Sequence, residues 1–229
     1  MIVYEERPFF RDRADAGDRL AERLTSYHGG DVIVLAIPRG GVPVAVRVAD
    51  RLSAPLDVVV PRKIQIPYNP EAGYGAVTED GTIILNEPLV AQLGLTEEQI
   101  QRQAGEVRHE VARRSAVYRS KLAVPPIERK TAIIIDDGLA SGFTMAAAIK
   151  STRQRRAARI VVAVPVASAA AYKLVEALAD EVVSLVIAHT YGFAVASYYY
   201  QWYDLTDQEV IQYLEDWQTR HIERKTTGF

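Results

Sequence analysis

The chain has 229 residues, of which 48% are hydrophobic and 24% charged, values of a globular protein large enough for one α/β domain with a substantial core. A formal net charge of −2 and a pI near 6.1 describe no broad basic field, so a nucleic-acid partner is not expected. With no cysteine there is no disulfide framework, thiolate nucleophile or Cys-ligated zinc, and His28, His109, His189 and His221 lack metal-ligand spacing.

The N-terminal residues Met1 to Arg7 turn charged before any signal-like apolar segment forms. The longest apolar run, Ile160 to Tyr172, contains Pro165 and falls short of the ~20 residues that a membrane span needs. A cytoplasmic protein without a membrane partner is expected. Residues 11–26 form an amphipathic helix, with Ala16, Leu20 and Leu24 at helical spacing and Gly29-Gly30 closing the segment. Asp31 to Ile37 is a first buried strand. It runs into Pro38-Arg39-Gly40-Gly41-Val42-Pro43, after which a helix covers about 42–52.

Paired glycines let backbone amides approach an anion closely, and Arg39 adds a fixed cation. Taken alone, Arg39-Gly40-Gly41 reads equally well as a plain strand-to-helix turn. Leu56 to Val60 is the next strand and ends in Pro61-Arg62-Lys63. The stretch from Ile64 to Gly75, rich in Gly, Pro and Tyr, reads as a mobile loop rather than core. Asp80-Gly81 then makes the tight turn of a hairpin joining Tyr74–Thr78 to Thr82–Leu85. Thr96-Glu-Glu-Gln99 is a capping box opening a helix to roughly Lys121, whose Arg108, Arg113 and Arg114 read as a solvated face. Pro125-Pro126 breaks the chain before the central strand.

That strand, Thr131 to Ile135, ends in Asp136-Asp137. Gly138-Leu139-Ala140-Ser141-Gly142-Phe143-Thr144 follows and starts a helix running to about Arg155. Free amides and two hydroxyls at the positive end of a helix suit a phosphate. The carboxylates beside them suit two neighbouring hydroxyls or a hydrated Mg²⁺. A ribose 5-phosphate satisfies both halves; ordinary α/β architecture with a capped helix is the alternative. Beyond it lie a strand from Ile160, a helix over 168–178, a strand over 181–188, an aromatic segment over 189–204 and a final helix capped by Thr206 and Glu209. Arg153, Arg155, Arg156 and Arg159 cluster at a helix C-terminus, where they are structural. Strands alternating with helices predict an α/β fold built on a central parallel sheet with helices on both faces.

Asp136-Asp137-Gly-Leu-Ala-Ser141-Gly142-Phe143-Thr144 resembles the phosphoribosyl pyrophosphate (PRPP) loop of type I phosphoribosyltransferases, with Ser141 where Thr is usual and Phe143 where Gly is usual. The chain is identified as a member of that family, in the group of bacterial and archaeal homologues without an assigned substrate. The resemblance implies one domain over 1–229, with a flexible flap at about 62–85 and a small hood drawing on 189–204. It implies that Asp136 and Asp137 hold the ribose hydroxyls and Mg²⁺, and that residues Gly138, Leu139, Ala140, Ser141, Gly142, Phe143 and Thr144 wrap the 5-phosphate. Arg39, Gly40, Gly41, Arg62 and Lys63 would bind pyrophosphate, and Asp136, Asp137, Lys63 and Arg39 would carry catalysis. Tyr191, Phe193 and Tyr198 would face the acceptor, whose identity this reading leaves open; His189 is more plainly a structural residue at a strand end. The implied partners are PRPP and a small acceptor, with a homodimer common in the family. A non-catalytic PRPP- or nucleotide-binding regulator of the same fold is the alternative.

Overall fold

The computed structural model describes residues 9–66, 69–120, 122, 125–190 and 192–227. Five strands form a parallel sheet: β1 (Val32–Ala36), β2 (Leu56–Val58), β6 (Thr131–Ile135), β7 (Arg159–Ser168) and β8 (Glu181–Ala188), in the order β2-β1-β6-β7-β8. A separate antiparallel sheet is made of β3 (Arg62–Ile66), β4 (Asn69–Val77) and β5 (Ile83–Leu85). The helices are α1 (Arg13–Arg23), α2 (Gly41–Leu52), α3 (Glu87–Leu93), α4 (Glu97–Arg119), α5 (Phe143–Gln154), α6 (Ala169–Glu176) and α7 (Asp207–Thr227).

Near-continuous apolar strands are what a sheet covered on both faces requires. Side chains alternate along each strand, so Val34 and Ala36 of β1 join Ile133 and Ile135 of β6 in one core with α1, α2 and α7. Ile33 and Leu35 join Ala132 and Ile134 in the opposite core with α5 and α6. Because β1 and β6 pair in parallel, with Ala36 opposite Ile135, the loops that follow them emerge side by side. This register sets up the site.

The predicted starts and caps hold at the level of hydrogen bonds. Thr96 and Gln99 complete a reciprocal capping box, the Gln99 N–H donating to Thr96 Oγ1 at 3.3 Å and the Thr96 N–H to Gln99 Oε1 at 2.8 Å. The arginines at the C-terminal end of α5 are ion-paired, Arg153 with Asp180 at 2.9 Å and Arg155 with the fully buried Asp57 at 3.4 Å. Helix α3, absent from the sequence reading, is capped by Asn86. The last helix, opened at Thr206, continues through Thr227.

The segment expected to be a loose loop departs most from expectation. Residues 62–66 and 69–77 are paired strands, and Ile64, Tyr74 and Ala76 are completely buried. Ile64 and Tyr74 pack with Val77, Val90, Ile100 and Ala104, and the Tyr74 hydroxyl donates to Gln103 Oε1 at 2.6 Å. A Tyr flanked by glycines reads as a turn in isolation, but α4 supplies an apolar face that the strand can cover. The Asp80-Gly81 turn is present, with Gly81 at φ +84°, and its base is fastened to α5. Ser151 Oγ donates to Asp80 Oδ2 at 2.7 Å and Thr82 Oγ1 to Gln154 Oε1 at 2.8 Å. Pro67 and Tyr68, between the first two strands, lie outside the described residues. No described helix is long and apolar enough to cross a membrane.

Candidate active site

Strand β6 ends at Ile135 and delivers Asp136 and Asp137 to the C-terminal edge of the sheet. Asp137 is buried, and its carboxylate accepts from Arg13 Nε at 2.8 Å. Its carbonyl accepts from the Tyr199 hydroxyl at 2.6 Å, and its N–H donates to Asp136 Oδ1 at 2.9 Å. Burial, and after it the neighbouring Asp137, hold the Asp136 carboxyl well above the usual range. Burial also raises Asp137, against the opposing pull of the Arg13 guanidinium. Two crowded carboxylates in a low-dielectric edge site are primed for a cation or for hydroxyl donors.

The next loop is stitched to β7. The Leu139 N–H donates to Val166 O and the Ser168 N–H to Leu139 O, both at 2.9 Å, and Ser168 Oγ donates to Ala140 O at 2.8 Å. These bonds leave Ala140 and Ser141 exposed at the crest. Gly142 turns the chain at φ +83°, a conformation that disfavours a side chain, and no side chain caps α5. The first amide bonded within the helix is that of Ala146, which donates to Gly142 O at 2.8 Å. The amides of Phe143, Thr144 and Met145 therefore have no partner within the helix, and this end of α5 is open to an anion. Phe143 is its first helical residue and is partly buried.

The glycine loop after β1 meets the carboxylates directly. A Cβ on Gly40 would overlap the Asp137 carboxylate, and one on Gly41 would lie 2.6 Å from Ile135 O and 2.9 Å from Asp136 Cα. Both glycines are therefore required by close approach. The Pro38–Arg39 peptide bond in this loop is cis. Arg39 extends toward α7, 3.8 Å from Asp207 Oδ1. Arg62 pairs with Glu110 of α4, while Lys63 is exposed on β3. Arg39, Arg62 and Arg114 line one small cleft with Tyr118, Pro38 and Pro61. Arg114 thus belongs to this cationic cleft and not to a solvated face. Its Nε is buried without a hydrogen bond, 3.7 Å from Asp207 Oδ2.

Two adjacent carboxylates, an open helix N-terminus and a glycine loop with cations thus lie together at adjacent strand ends. The family model described as "Phosphoribosyl transferase domain" matches residues 11–202. The chain belongs to the phosphoribosyl transferase family. Its core has the type I phosphoribosyltransferase fold, that of a class of glycosyltransferases. Over 206 residues it is 39% identical to a protein of Mycobacterium tuberculosis H37Rv provisionally named a phosphoribosyl transferase. The same match recurs in strain CDC 1551. It covers 90% of this chain and 46% of each relative, so the chain spans about half the length of those curated relatives. The crystal structure of TT1426 from Thermus thermophilus superposes with a TM-score of 0.76 at 38% identity, covering 91% of this chain and 99% of that one.

In this phosphoribosyltransferase domain the described part of the aromatic segment over 189–204 differs from the sequence expectation. Tyr198 is fully buried, packed with Phe10, Val166 and Val186, so it is a core residue and presents no ring to an acceptor. A Tyr in an aromatic run carries no sign of which way it faces; the pairing of Phe9 and Phe10 amides with Tyr198 O, at 2.9 and 2.8 Å, turns it inward. Phe193, partly exposed, lies 5.6 Å from the Tyr198 ring. Tyr191 lies outside the described residues. Val195, unremarked in the sequence, sits against the loop, its methyls 2.6 and 2.8 Å from where a Cβ on Gly138 would be.

Among the described residues no group of three or more His, Cys, Asp or Glu forms a metal site. The donor set is two hard carboxylates, one of them tied to Arg13. That set fits a Mg²⁺ brought in largely by a ligand's own oxygens.

Proposed function

We propose that this domain transfers the 5-phosphoribosyl group of PRPP to a nucleophilic nitrogen of an acceptor, a nucleobase or a related amine, with pyrophosphate leaving. The single observation that carries this reading is the contact of Gly40 with Asp137. It brings a pyrophosphate-suited loop and a diol-suited carboxylate together at adjacent strand ends, as a phosphate-bearing ribose with a pyrophosphate on C1 requires.

In this reading the amides of Phe143 to Met145 and the hydroxyls of Ser141 and Thr144 bind the 5-phosphate. Asp136 and Asp137 orient the ribose through its two hydroxyls. The bond from C1 to the pyrophosphate oxygen breaks with the electron pair leaving on pyrophosphate, and the acceptor nitrogen forms the new bond to C1 and then sheds its proton. An oxocarbenium-like transition state makes positioning and leaving-group stabilisation the main contributions. Arg39, Arg62, Lys63 and the amide of Gly40 receive the growing negative charge, the Gly41 amide already donating to Ile37 O at 3.1 Å. Asp136 and Asp137 would hold Mg²⁺ through water and the ribose hydroxyls, and when bound it would supply further charge neutralisation. Arg39 and Arg62 already rest against carboxylates, so pyrophosphate must exchange with Asp207 and Glu110 as it enters. The three-stranded flap sheet, fastened at its Asp80 turn, would shield the reacting carbon from water.

The test is calorimetric titration with PRPP, with and without Mg²⁺, followed by a screen of purines, pyrimidines and simple amines for pyrophosphate release. Saturable, Mg²⁺-dependent binding and acceptor-dependent release are expected. A folded protein that binds no PRPP would overturn the proposal.

A further inference from the structure

A helical wheel places Arg13 in line with the apolar stripe of α1, where Ala16, Gly17, Leu20 and Ala21 are buried. An arginine on such a face is costly unless every donor finds a partner. Here the side chain is satisfied in three ways. Nε donates to Asp137 Oδ2 at 2.8 Å, and Nη1 donates to the carbonyl of Tyr203 at 2.9 Å. The guanidinium plane also lies 3.9 Å from the centre of the Trp202 ring. Both partners of the ion pair are almost wholly out of solvent, with side chains 8% and 12% exposed.

The contacts come from three separate parts of the chain: α1, the loop after β6, and the segment before α7. A buried ion pair is weak evidence for net stability, since similar packing can be made from apolar residues at less cost. What it does fix is the position of a carboxylate. Asp137 is followed directly by the phosphate loop, so a rotation of its side chain would misdirect the edge offered to the ribose hydroxyls.

We propose that Arg13 is a positioning residue for the ribose diol. Its fork holds the Asp137 carboxylate in one orientation and ties it to the Tyr203 backbone and Trp202, so that the diol-binding edge and the segment 199–203 behave as one rigid unit. The guanidinium geometry is essential to this role, because a lysine carries the charge but cannot serve Asp137 and Tyr203 in a fixed plane while lying on an aromatic face. The proposal rests on the reading that Asp137 receives the ribose hydroxyls.

The test compares wild type with Arg13→Gln and Arg13→Lys by calorimetric titration against two probes, PRPP with Mg²⁺ and inorganic pyrophosphate with Mg²⁺. Arg13→Gln should weaken PRPP binding about 10-fold or more, with pyrophosphate binding within about twofold of wild type, because only PRPP carries the diol. Arg13→Lys should fall between the two and keep the fold if Arg13→Gln loses it. Equal weakening of both probes would mean that Arg13 only supports the fold, and would overturn the proposal. So would PRPP affinity unchanged from wild type in either folded variant. If wild type itself bound pyrophosphate but not PRPP, the reading of Asp137 would fall and the proposal with it; an Arg13 variant equal to a PRPP-binding wild type would remove the proposal alone.

Discussion

Gly40 and Asp137, 97 positions apart in sequence, are packed so closely that a methyl group on Gly40 would occupy the space of the Asp137 carboxylate. Gly40→Ala must therefore displace either the glycine loop or the carboxylate. Because both carry the proposed site, PRPP affinity should fall by at least ~10-fold, a loss of about 1.4 kcal/mol. Calorimetric titration checks this, with circular dichroism to establish that the fold is retained. Unaltered affinity would mean that the two loops move apart freely and do not form one site.

The two adjacent aspartates should respond to the same substitution with opposite effects on stability. The folded-state pKa of Asp136 is raised by burial and by Asp137, so the native state holds its proton more tightly than the unfolded chain. Its ionisation then costs stability progressively as pH rises above the unfolded carboxylate value of about 4. Asp136→Asn should raise Tm at neutral pH, by about 2–4 °C for each kcal/mol relieved, and the gain should vanish toward pH ~4. Scanning calorimetry across that pH range reads the effect.

Asp137→Asn removes the anionic partner of a buried guanidinium. Breaking such a pair costs about 3–5 kcal/mol, which outweighs the relief from no longer burying a charge at a carboxyl that burial raises against the pull of Arg13, so Tm should fall where Asp136→Asn raises it. Both variants should lose turnover. Denaturant titration separates the stability effects from the catalytic one, and turnover retained in Asp137→Asn would sink the assignment of the diol site.

Tyr199→Phe deletes the hydroxyl that donates to the Asp137 carbonyl. A buried acceptor left without its donor costs about 1–3 kcal/mol. Denaturant unfolding should show this loss, together with weaker PRPP binding as the loop loosens beside the carboxylate. A loss of stability with unchanged PRPP affinity would show that the hydroxyl supports the hood alone.

Glu110→Gln should release Arg62 from its internal counter-ion. The pair is part-exposed, so the gain is modest: inorganic pyrophosphate should bind about threefold more tightly. Weaker binding would show that Glu110 orients Arg62 toward the ligand instead of competing for it.

The strands, most helices and the loops at their ends were legible because each is written in local chemistry. Thr131 to Ile135 has the apolar continuity of a covered strand, Thr96 and Gln99 the spacing of a capping box, and Asp136 to Thr144 an ordered series of donors and acceptors. Parallel pairing of β1 with β6 then brings the loops after them together. The paired glycines were also readable in advance, although their tight contact with the carboxylates was not. Side-chain direction and partnership came only with packing. Tyr198 and Phe193 look alike as letters, yet β7, β8 and Phe10 bury Tyr198. Arg114 reads as one of several helix charges until Arg39, Arg62 and Asp207 arrive from elsewhere. Arg13 gave one hint, an arginine on the apolar side of a helix, but its carboxylate partner is 124 positions away. Local sequence fixes the backbone torsions and periodicity of each element; the partner of a charge depends on which elements pack together, and that is a property of the whole folded chain.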